Sequence, residues 1–297
     1  MRPVTRHFRS HDGLRLVADR WGPDDGNDVL LLHGGGQSRY AWKDTGQRLA
    51  ELGFRATAID SRGHGDSDWS PTGQYDMLDF SRDIVEVLHE LPAAPAVVGA
   101  SMGGMSSLLA QQSTTDQLFS RVVLVDVTPR MNLDGVARIM QFMAAHPDGF
   151  ADLDEAAAAI SGYNPHRSKP RSSAGLERVL RQGEDGRWVW RWDPKFVTWR
   201  QRLDSTSATG FEDRMARMAH DMYEGAEAIT SPILLVRGQQ SDLVSDEVAE
   251  EFRERLPNAA YVDIRGAGHM VAGDDNDAFT SAVTEFLTTV NSSDASR

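Results

Sequence analysis

The segment best suited to chemistry in the 297-residue sequence is Gly99-Ala100-Ser101-Met102-Gly103. It follows an apolar, strand-like run and opens a helix-like one. A serine on such a tight strand–turn–helix junction projects its hydroxyl outward, and the flanking glycines remove side chains that would collide with the adjoining strand and helix. The pattern alone is common by chance, but in this context it predicts a nucleophilic serine at position 101.

A serine hydroxyl needs a base to accept its proton and a carboxylate to orient that base. Among the nine histidines, we favour His269. It lies in a small-residue loop after the strand-like run 260–264, where α/β folds keep their ligand crevice. His64 lies in a segment rich in turn-forming residues, and we expect it to hold that loop through hydrogen bonds. The other histidines are interpreted as structural or surface residues.

Two aspartates fit the role of the carboxylate. Asp242 follows the apolar run 233–236, and Asp126 follows the run 122–125. Either preserves the chain order Ser, Asp, His, and either lies at the C-terminal end of a predicted strand. We favour Asp242, because it lies in a loop ahead of a helix. Asp126 stays an alternative that instead caps the start of the following segment.

A second glycine-rich segment, His33-Gly34-Gly35-Gly36, follows the run 29–32. Consecutive glycines let backbone N–H groups approach a developing negative charge closely. Together with the serine, this segment predicts an oxyanion hole formed by the N–H groups of Gly35 and Met102. Losing one such donor typically costs about 3 kcal/mol of transition-state stabilisation. His33 is expected to brace the loop.

The elements that must position these residues alternate between short aliphatic runs and helical patterns. Each run is polar only at its C-terminal end, which is typical of strands buried on both faces of a parallel sheet. This predicts an α/β fold with covered sheet faces. The alternating segments around Asp12-Gly13 predict an antiparallel hairpin at the sheet edge. The aliphatic runs are 29–32, 56–59, 96–98, 122–125 and 233–236.

Residues 130–228 interrupt this alternation with helical patterns that are rich in tryptophan and methionine. We predict an inserted helical lid (130–228) within a core made of residues 1–129 and 229–297. Packing inside the lid is the first interpretation of most of these side chains. Substrate pockets are nevertheless mostly apolar and aromatic, and the predicted lining residues are Gly36, Trp190, Met140 and Met143.

These motifs together resemble the lidded α/β-hydrolases, which include esterases, perhydrolases, carbon–carbon bond hydrolases, epoxide hydrolases and haloalkane dehalogenases. They run in the family's order over residues 28–270. The resemblance implies an α/β-hydrolase fold, with a mostly parallel central sheet and an inserted helical lid. It implies Ser101 as nucleophile, His269 as base and Asp242 as acid, with Gly35 and Met102 as oxyanion donors. The motifs are 33–36, 62–67, 99–103, 238–242 and 268–270.

The residue types narrow the expected reaction. Epoxide hydrolases and dehalogenases carry aspartate where Ser101 stands, so an alkyl-enzyme mechanism is not expected. We predict a serine hydrolase that cleaves a carboxylic ester, lactone or thioester. The alternatives are a carbon–carbon bond hydrolase of a vinylogous diketone and a non-catalytic ligand-binding homologue. The first needs a cationic clamp, for which the candidates (more simply read as solvated surface) are Arg130, Arg138, Arg167 and Arg171.

Composition excludes several other classes. The formal charge of −13 disfavours nucleic-acid and anionic-membrane surfaces, and zero cysteines exclude disulfides, thiolate zinc sites and a thiol nucleophile. The chain shows neither a secretory signal nor an apolar run that could span a bilayer. We expect a cytoplasmic protein, monomeric or homodimeric, that acts on a small molecule without a cofactor.

Overall fold

The structure is a computed structural model that describes residues 2–163, 173–199, 210–265 and 277–289. Its main feature is an eight-stranded sheet with strand order β1-β2-β4-β3-β5-β6-β9-β10. The strands are β1 Val4–Arg9, β2 Arg15–Trp21, β3 Asp28–Leu32, β4 Arg55–Ile59, β5 Ala96–Ala100, β6 Arg121–Val125, β7 Leu180–Gln182, β8 Trp188–Trp190, β9 Ile233–Gly238 and β10 Ala260–Ile264. The helices are α1 Lys43–Glu51, α2 Met77–His89, α3 Met102–Gln112, α4 Leu133–Ala144, α5 Leu153–Tyr163, α6 Gly210–Ala228, α7 Asp246–Arg255 and α8 Asp277–Thr289.

The sheet is parallel from β4 to β10 and antiparallel at its N-terminal edge. The predicted hairpin is confirmed: β1 and β2 pair antiparallel, and β2 pairs antiparallel with β4. Parallel strands carry their C-terminal ends along one edge. The residues that follow β3, β5, β6 and β9 therefore meet along that edge.

Alternating side chains of each strand pack on opposite faces of the sheet, as the pleat requires. In β3, Leu30 and Leu32 belong to the cluster that packs with α2, α3 and α7, whereas Val29 and Leu31 pack with α1 and α8. All four side chains are almost fully buried. This burial on both sides explains why the strands read as continuous aliphatic runs, and the predicted fold class is confirmed.

Between β6 and β9 the chain leaves the sheet. We call the described parts of residues 126–232 the inserted segment; it contains α4, α5, the β7–β8 hairpin, the helical residues 194–199 and α6. The C-terminal half of α6 packs tightly against α3, since a Cβ on Gly225 would lie 2.1 Å from the carbonyl oxygen of Leu108. The chain thus rejoins the core layer within α6. The predicted lid boundaries at 130 and 228 stay a prediction.

Membrane crossing would require a longer and more apolar helix than any that the described ranges contain.

Candidate active site

Ser101 is the single residue between β5 and α3, and its backbone is strained. Its φ of +45° lies in the left-handed region, which non-glycine residues adopt at a cost of about 1–3 kcal/mol. The turn is tight because glycines line it. A Cβ on Gly103 would lie 2.4 Å from the carbonyl oxygen of Leu32, and one on Gly99 would lie 2.6 Å from the Gly104 nitrogen. The predicted strand–turn–helix junction is present, and Ser101 stays partly exposed.

The segment His33–Gln37, which we call the glycine loop, lies directly against this junction. A Cβ on Gly34 would be 3.3 Å from the Cβ of Ser101. The loop is a turn closed by the Gln37 N–H, which donates to the Gly34 carbonyl at 3.1 Å. Gly36 has φ +76° at the third position of this turn, a conformation that favours glycine.

Two of the backbone donors at this junction have no acceptor among the residues that the structure describes. The Gly34 N–H donates to Gln37 Oε1 at 3.0 Å, and the Gly36 N–H donates to His64 Nε2 at 3.1 Å. Within the described ranges, the N–H groups of Gly35 and Met102 donate to no other residue. Met102 begins α3, where helical N–H groups have no partner inside the helix. Both N–H groups are therefore available as donors, and their role in an oxyanion hole stays a prediction.

His33 and His64 are buried and neutral, and they hold the loops of the site together. His33 Nε2 accepts the Ser61 N–H at 3.0 Å, so its Nδ1 carries the proton and donates to the Gly34 carbonyl at 2.8 Å. His64 has the same tautomer: Nε2 accepts from Gly36, and Nδ1 donates to the Arg62 carbonyl at 3.0 Å. Both rings are fully buried. Each histidine braces a loop, as the sequence analysis expects.

The neutrality of these two rings makes folding depend on pH. Burial lowers the pKa of His33 to about 4 and that of His64 to about 3, whereas an unfolded histidine titrates near 6.5. Below pH 6.5 the unfolded chain binds more protons than the folded one, so the free energy of unfolding falls as the pH falls. At pH 5 we expect a loss of about 2 kcal/mol for each histidine, measured by urea denaturation between pH 8 and pH 5.

The matched control is the double variant His33→Gln, His64→Gln, which keeps polar side chains at both sites but cannot titrate. Its stability should change less between pH 8 and pH 5 than that of the natural sequence. An equal pH dependence in both proteins would contradict the assignment of the effect to these two rings.

The two candidate carboxylates have different surroundings. Asp242 lies beyond β9 on the protein surface, with its side chain 47% exposed. Its Oδ2 accepts a hydrogen bond from Nη1 of Arg138 in α4 at 2.7 Å. The carboxylate therefore makes a surface ion pair between the core and the inserted segment.

Asp126 is fully buried at the end of β6, in the strand next to that of the nucleophile. The Ser101 N–H donates to the carbonyl of Val125 at 3.1 Å, so residues 101 and 126 follow neighbouring strand ends. Asp126 has φ +49°, also in the left-handed region. Its Oδ1 accepts the Gly238 N–H at 3.0 Å and its Oδ2 accepts the Ser241 hydroxyl at 2.6 Å.

The predicted base, His269, lies outside the described residues, together with the whole segment 266–276. The described strand β10, Ala260–Ile264, ends at the C-terminal edge of the sheet beside β9. The assignment of His269 and the choice between the two aspartates accordingly stay predictions.

An apolar wall from the inserted segment covers the glycine loop. A Cβ on Gly36 would lie 3.1 Å from Cε of Met143 and 3.4 Å from the ring of Trp192, and one on Gly35 would lie 3.7 Å from the ring of Phe196. These three side chains are almost fully buried. Of the predicted lining residues, the structure thus brings Gly36 and Met143 together.

The other two predicted lining residues lie farther from the loop contacts. Trp190 stacks on Trp192 with ring centroids 4.3 Å apart, so it contacts a wall residue and supports the wall from behind. Met140 is a partly buried member of the same hydrophobic cluster. Trp192 and Phe196 were not among the lining residues predicted from the sequence. The period-two spacing of the tryptophans at 188, 190 and 192 could have indicated Trp192. Nothing in the sequence pattern indicated Phe196.

Comparison with known proteins identifies the family to which this fold belongs. A family model described as alpha/beta hydrolase fold matches residues 28–275, which is most of the chain. The chain belongs to the α/β-hydrolase family. Ser101 and the glycine loop both lie inside the matched region, as do Asp126, Asp242 and His269.

Relatives of this α/β-hydrolase include enzymes with named activities. An esterase of Mycobacterium tuberculosis, Rv0045c, is 31% identical over 92% of this chain and 87% of its own length. The 2-(acetamidomethylene)succinate hydrolase of Mesorhizobium japonicum is 27% identical over 87% of each protein. The solved structure of E-2-(acetamidomethylene)succinate hydrolase superimposes with a TM-score of 0.80 over 96% of this chain and 99% of its own, at 24% identity, a likeness of fold. The esterase and hydrolase relatives support a hydrolytic enzyme.

Two of the four arginines that were candidates for a cationic clamp in this α/β-hydrolase make ion pairs with surface carboxylates. Arg130 makes ion pairs with Glu247 and Glu251 of α7, and Arg138 pairs with Asp242. All are at least partly exposed. The other two candidates, Arg167 and Arg171, lie outside the described residues. The ion pairs of Arg130 and Arg138 favour the interpretation of these two residues as solvated surface.

Proposed function

We propose that this α/β-hydrolase is a serine hydrolase that cleaves a carboxylic ester through an acyl-enzyme. The observation that carries the proposal is the strained backbone of Ser101, at φ +45°, directly beside the glycine loop. A Cβ added to Gly34 would lie only 3.3 Å from the Cβ of Ser101. Strain of this kind persists only where the surrounding structure enforces it, and it is frequent at active sites. The N–H groups of Gly35 and Met102, which have no described protein acceptor, supply the oxyanion donors beside it.

In the proposed reaction, Ser101 Oγ attacks the ester carbonyl carbon while His269 accepts the hydroxyl proton. The N–H groups of Gly35 and Met102 stabilise the negative charge on the carbonyl oxygen. Collapse of the tetrahedral intermediate expels the alcohol, which takes its proton from His269. Water, deprotonated by the same histidine, then attacks the acyl-enzyme, and collapse of the second tetrahedral intermediate releases the carboxylic acid while His269 returns the proton to Ser101 Oγ.

We favour Asp126 as the carboxylate that orients His269, although the sequence alone favours Asp242. Orienting a base works best from a buried, rigid carboxylate, and Asp126 is fully buried with both oxygens fixed by hydrogen bonds. Asp242 is half-exposed and already paired with Arg138. Its ion pair is the kind of surface contact that contributes little energy.

The apolar wall supports an uncharged, apolar acyl or alcohol group as the part of the substrate that lies over the glycine loop. Met143, Trp192 and Phe196 contact this loop and present only thioether and aromatic surface to it. An ionised carboxylate against such a wall would lose its hydration without gaining a partner.

The proposal is tested with the purified protein, a short-chain nitrophenyl ester and a fluorophosphonate probe. We expect turnover of the ester and a single covalent adduct, which peptide mass spectrometry should locate on Ser101. Absence of labelling together with absence of turnover across esters, lactones and thioesters would overturn the proposal. A parallel assay with a ring-cleavage dienoate distinguishes carbon–carbon bond hydrolysis, because that substrate carries a carboxylate for which the wall offers no cation.

A further inference from the structure

His64 connects the glycine loop to the inserted segment. Its Nε2 accepts the Gly36 N–H at 3.1 Å. Its ring also meets Phe196 edge-on, with ring centroids 5.0 Å apart. Phe196 in turn lies 3.7 Å from the position of a Cβ on Gly35. One buried imidazole therefore contacts both the loop and the wall that covers it.

The backbone that carries His64 is fixed from two sides. The neighbouring Arg62, only 1% exposed, makes two hydrogen bonds to Asp83 of α2, at 2.7 and 2.6 Å. On the other side, the inserted segment pairs with residues 63–65 through main-chain bonds. The Gly65 N–H donates to the carbonyl of residue 191, and the N–H of residue 193 donates to that of Gly63, both at 2.8 Å. His64 is thus a rigid support.

The glycine loop needs such a support because its turn has two accessible forms. The positive φ of Gly36 is characteristic of a type II turn, which differs from type I by a flip of the peptide between Gly35 and Gly36. Glycine at both central positions makes either form sterically allowed. The N–H that would move in this flip is the one that His64 accepts. The hydrogen bond therefore selects one form of the turn.

We propose that His64 is a positioning residue for the oxyanion hole: by holding the Gly36 N–H it keeps the peptide between Gly35 and Gly36 from flipping, and so anchors the backbone that adjoins the Gly35 N–H beside Ser101. The inference rests on the proposed function, since it assumes that Gly35 is an oxyanion donor. The imidazole performs this task only as the neutral tautomer with its proton on Nδ1. The Arg62 carbonyl, which accepts that proton at 3.0 Å, stabilises this tautomer.

Two substitutions separate the two hydrogen bonds of the ring. His64→Asn places its amide where Nδ1 stood, so it keeps a donor for the Arg62 carbonyl but does not reach Gly36. His64→Gln extends one carbon farther and can present its oxygen to the Gly36 N–H. Ser67→Ala is the matched control, because Ser67 lies in the same loop as His64. Its buried hydroxyl donates to the Asp60 carbonyl and accepts the Val17 N–H, and neither bond involves the glycine loop.

The measurements are kcat and KM for the nitrophenyl ester and the affinity of a short alkyl boronic acid, with a thermal melt of each variant. The boronic acid forms an anionic tetrahedral adduct with the serine, in which a boron-bound oxygen occupies the oxyanion position. We expect His64→Asn to lower kcat and boronic-acid affinity by about 10- to 100-fold, below the full loss of a donor, with little change in KM. His64→Gln should recover most of both values, and Ser67→Ala should lose stability but keep kcat.

The outcomes distinguish this inference from the proposed function. If the natural protein hydrolyses the ester and His64→Asn does so equally fast, the role of His64 is wrong and the proposed function stands. The role is also wrong if Asn and Gln variants lose equal activity, or if Ser67→Ala loses as much kcat as His64→Asn. A natural protein that neither hydrolyses the ester nor binds the boronic acid would overturn both proposals.

Discussion

Replacing Ser101 by alanine should lower kcat for the nitrophenyl ester by at least about 10⁴-fold, since removing a triad nucleophile costs up to about 10⁶ in a well-studied serine protease. Without the Oγ no acyl-enzyme forms, and the oxyanion donors alone leave only a small residual rate. The measurement is steady-state turnover, together with loss of the fluorophosphonate adduct. Stability should not fall, because alanine at this strained turn removes no hydrogen bond from the start of α3.

Ser107→Ala is the matched control for this substitution. Ser107 lies on the same helix, is buried, and bonds the Gly103 carbonyl at 2.8 Å through its hydroxyl. It should keep kcat close to that of the natural protein. Turnover that survives in Ser101→Ala, after contamination has been excluded by titrating active sites, would contradict the assignment of the nucleophile.

The two aspartates should respond very differently to conversion into asparagine. We expect Asp126→Asn to lower kcat by about 10³- to 10⁴-fold, because an amide holds the base in the wrong tautomer and does not stabilise its charged form. Asp242→Asn should change kcat by no more than a few-fold. It removes only the surface pair with Arg138, whose contribution to stability is on the order of 0–1 kcal/mol. Steady-state kinetics of both variants across the pH range provides the comparison.

Two further measurements guard this comparison against a structural effect. Asp126 also joins β6 to the loop after β9 through Gly238 and Ser241, so a thermal melt must show that Asp126→Asn is folded. Ser241→Ala removes one of these contacts and keeps the carboxylate, and it should retain most of the activity. The opposite ranking of the two aspartates, with Asp242→Asn inactive and Asp126→Asn active, would restore the sequence-based choice.

The sequence was sufficient to predict the sheet and the strand–turn–helix junction at Ser101, because both depend on local patterns. Strands buried on two faces must be continuously apolar, and a tight strand–helix junction must be lined by small residues. The steric reason is visible at Gly103, where any Cβ would meet the backbone of β3. The glycine loop also follows from a local pattern, since its turn engages the N–H groups of Gly34 and Gly36 and, among the described residues, leaves that of Gly35 without an acceptor.

The choice between the aspartates and the composition of the wall could not be predicted in the same way. Asp126 and Asp242 both follow strands in the right chain order. Their burial and their contacts with residues far along the chain distinguish them. Asp126 is buried and bonded to Gly238 and Ser241, whereas Asp242 is half-exposed and paired with Arg138, 104 residues away. Phe196 reaches Gly35 because the inserted segment folds back over the sheet. Such contacts between distant parts of the chain leave no periodic signal in the sequence.

The main-chain bonds between residues 63–65 and 191–193 also bear on how this scaffold can be re-engineered. Exchanging the inserted segment with that of a related enzyme is an attractive way to transplant a new specificity. Here the exchange would remove residues 191–193, which follow β8 and form an isolated bridge with the loop of His64. A chimera that replaces residues 130–228 alone would therefore leave that loop without its partner. We expect a chimera to remain active only if the loop around residues 63–65 is exchanged together with the inserted segment.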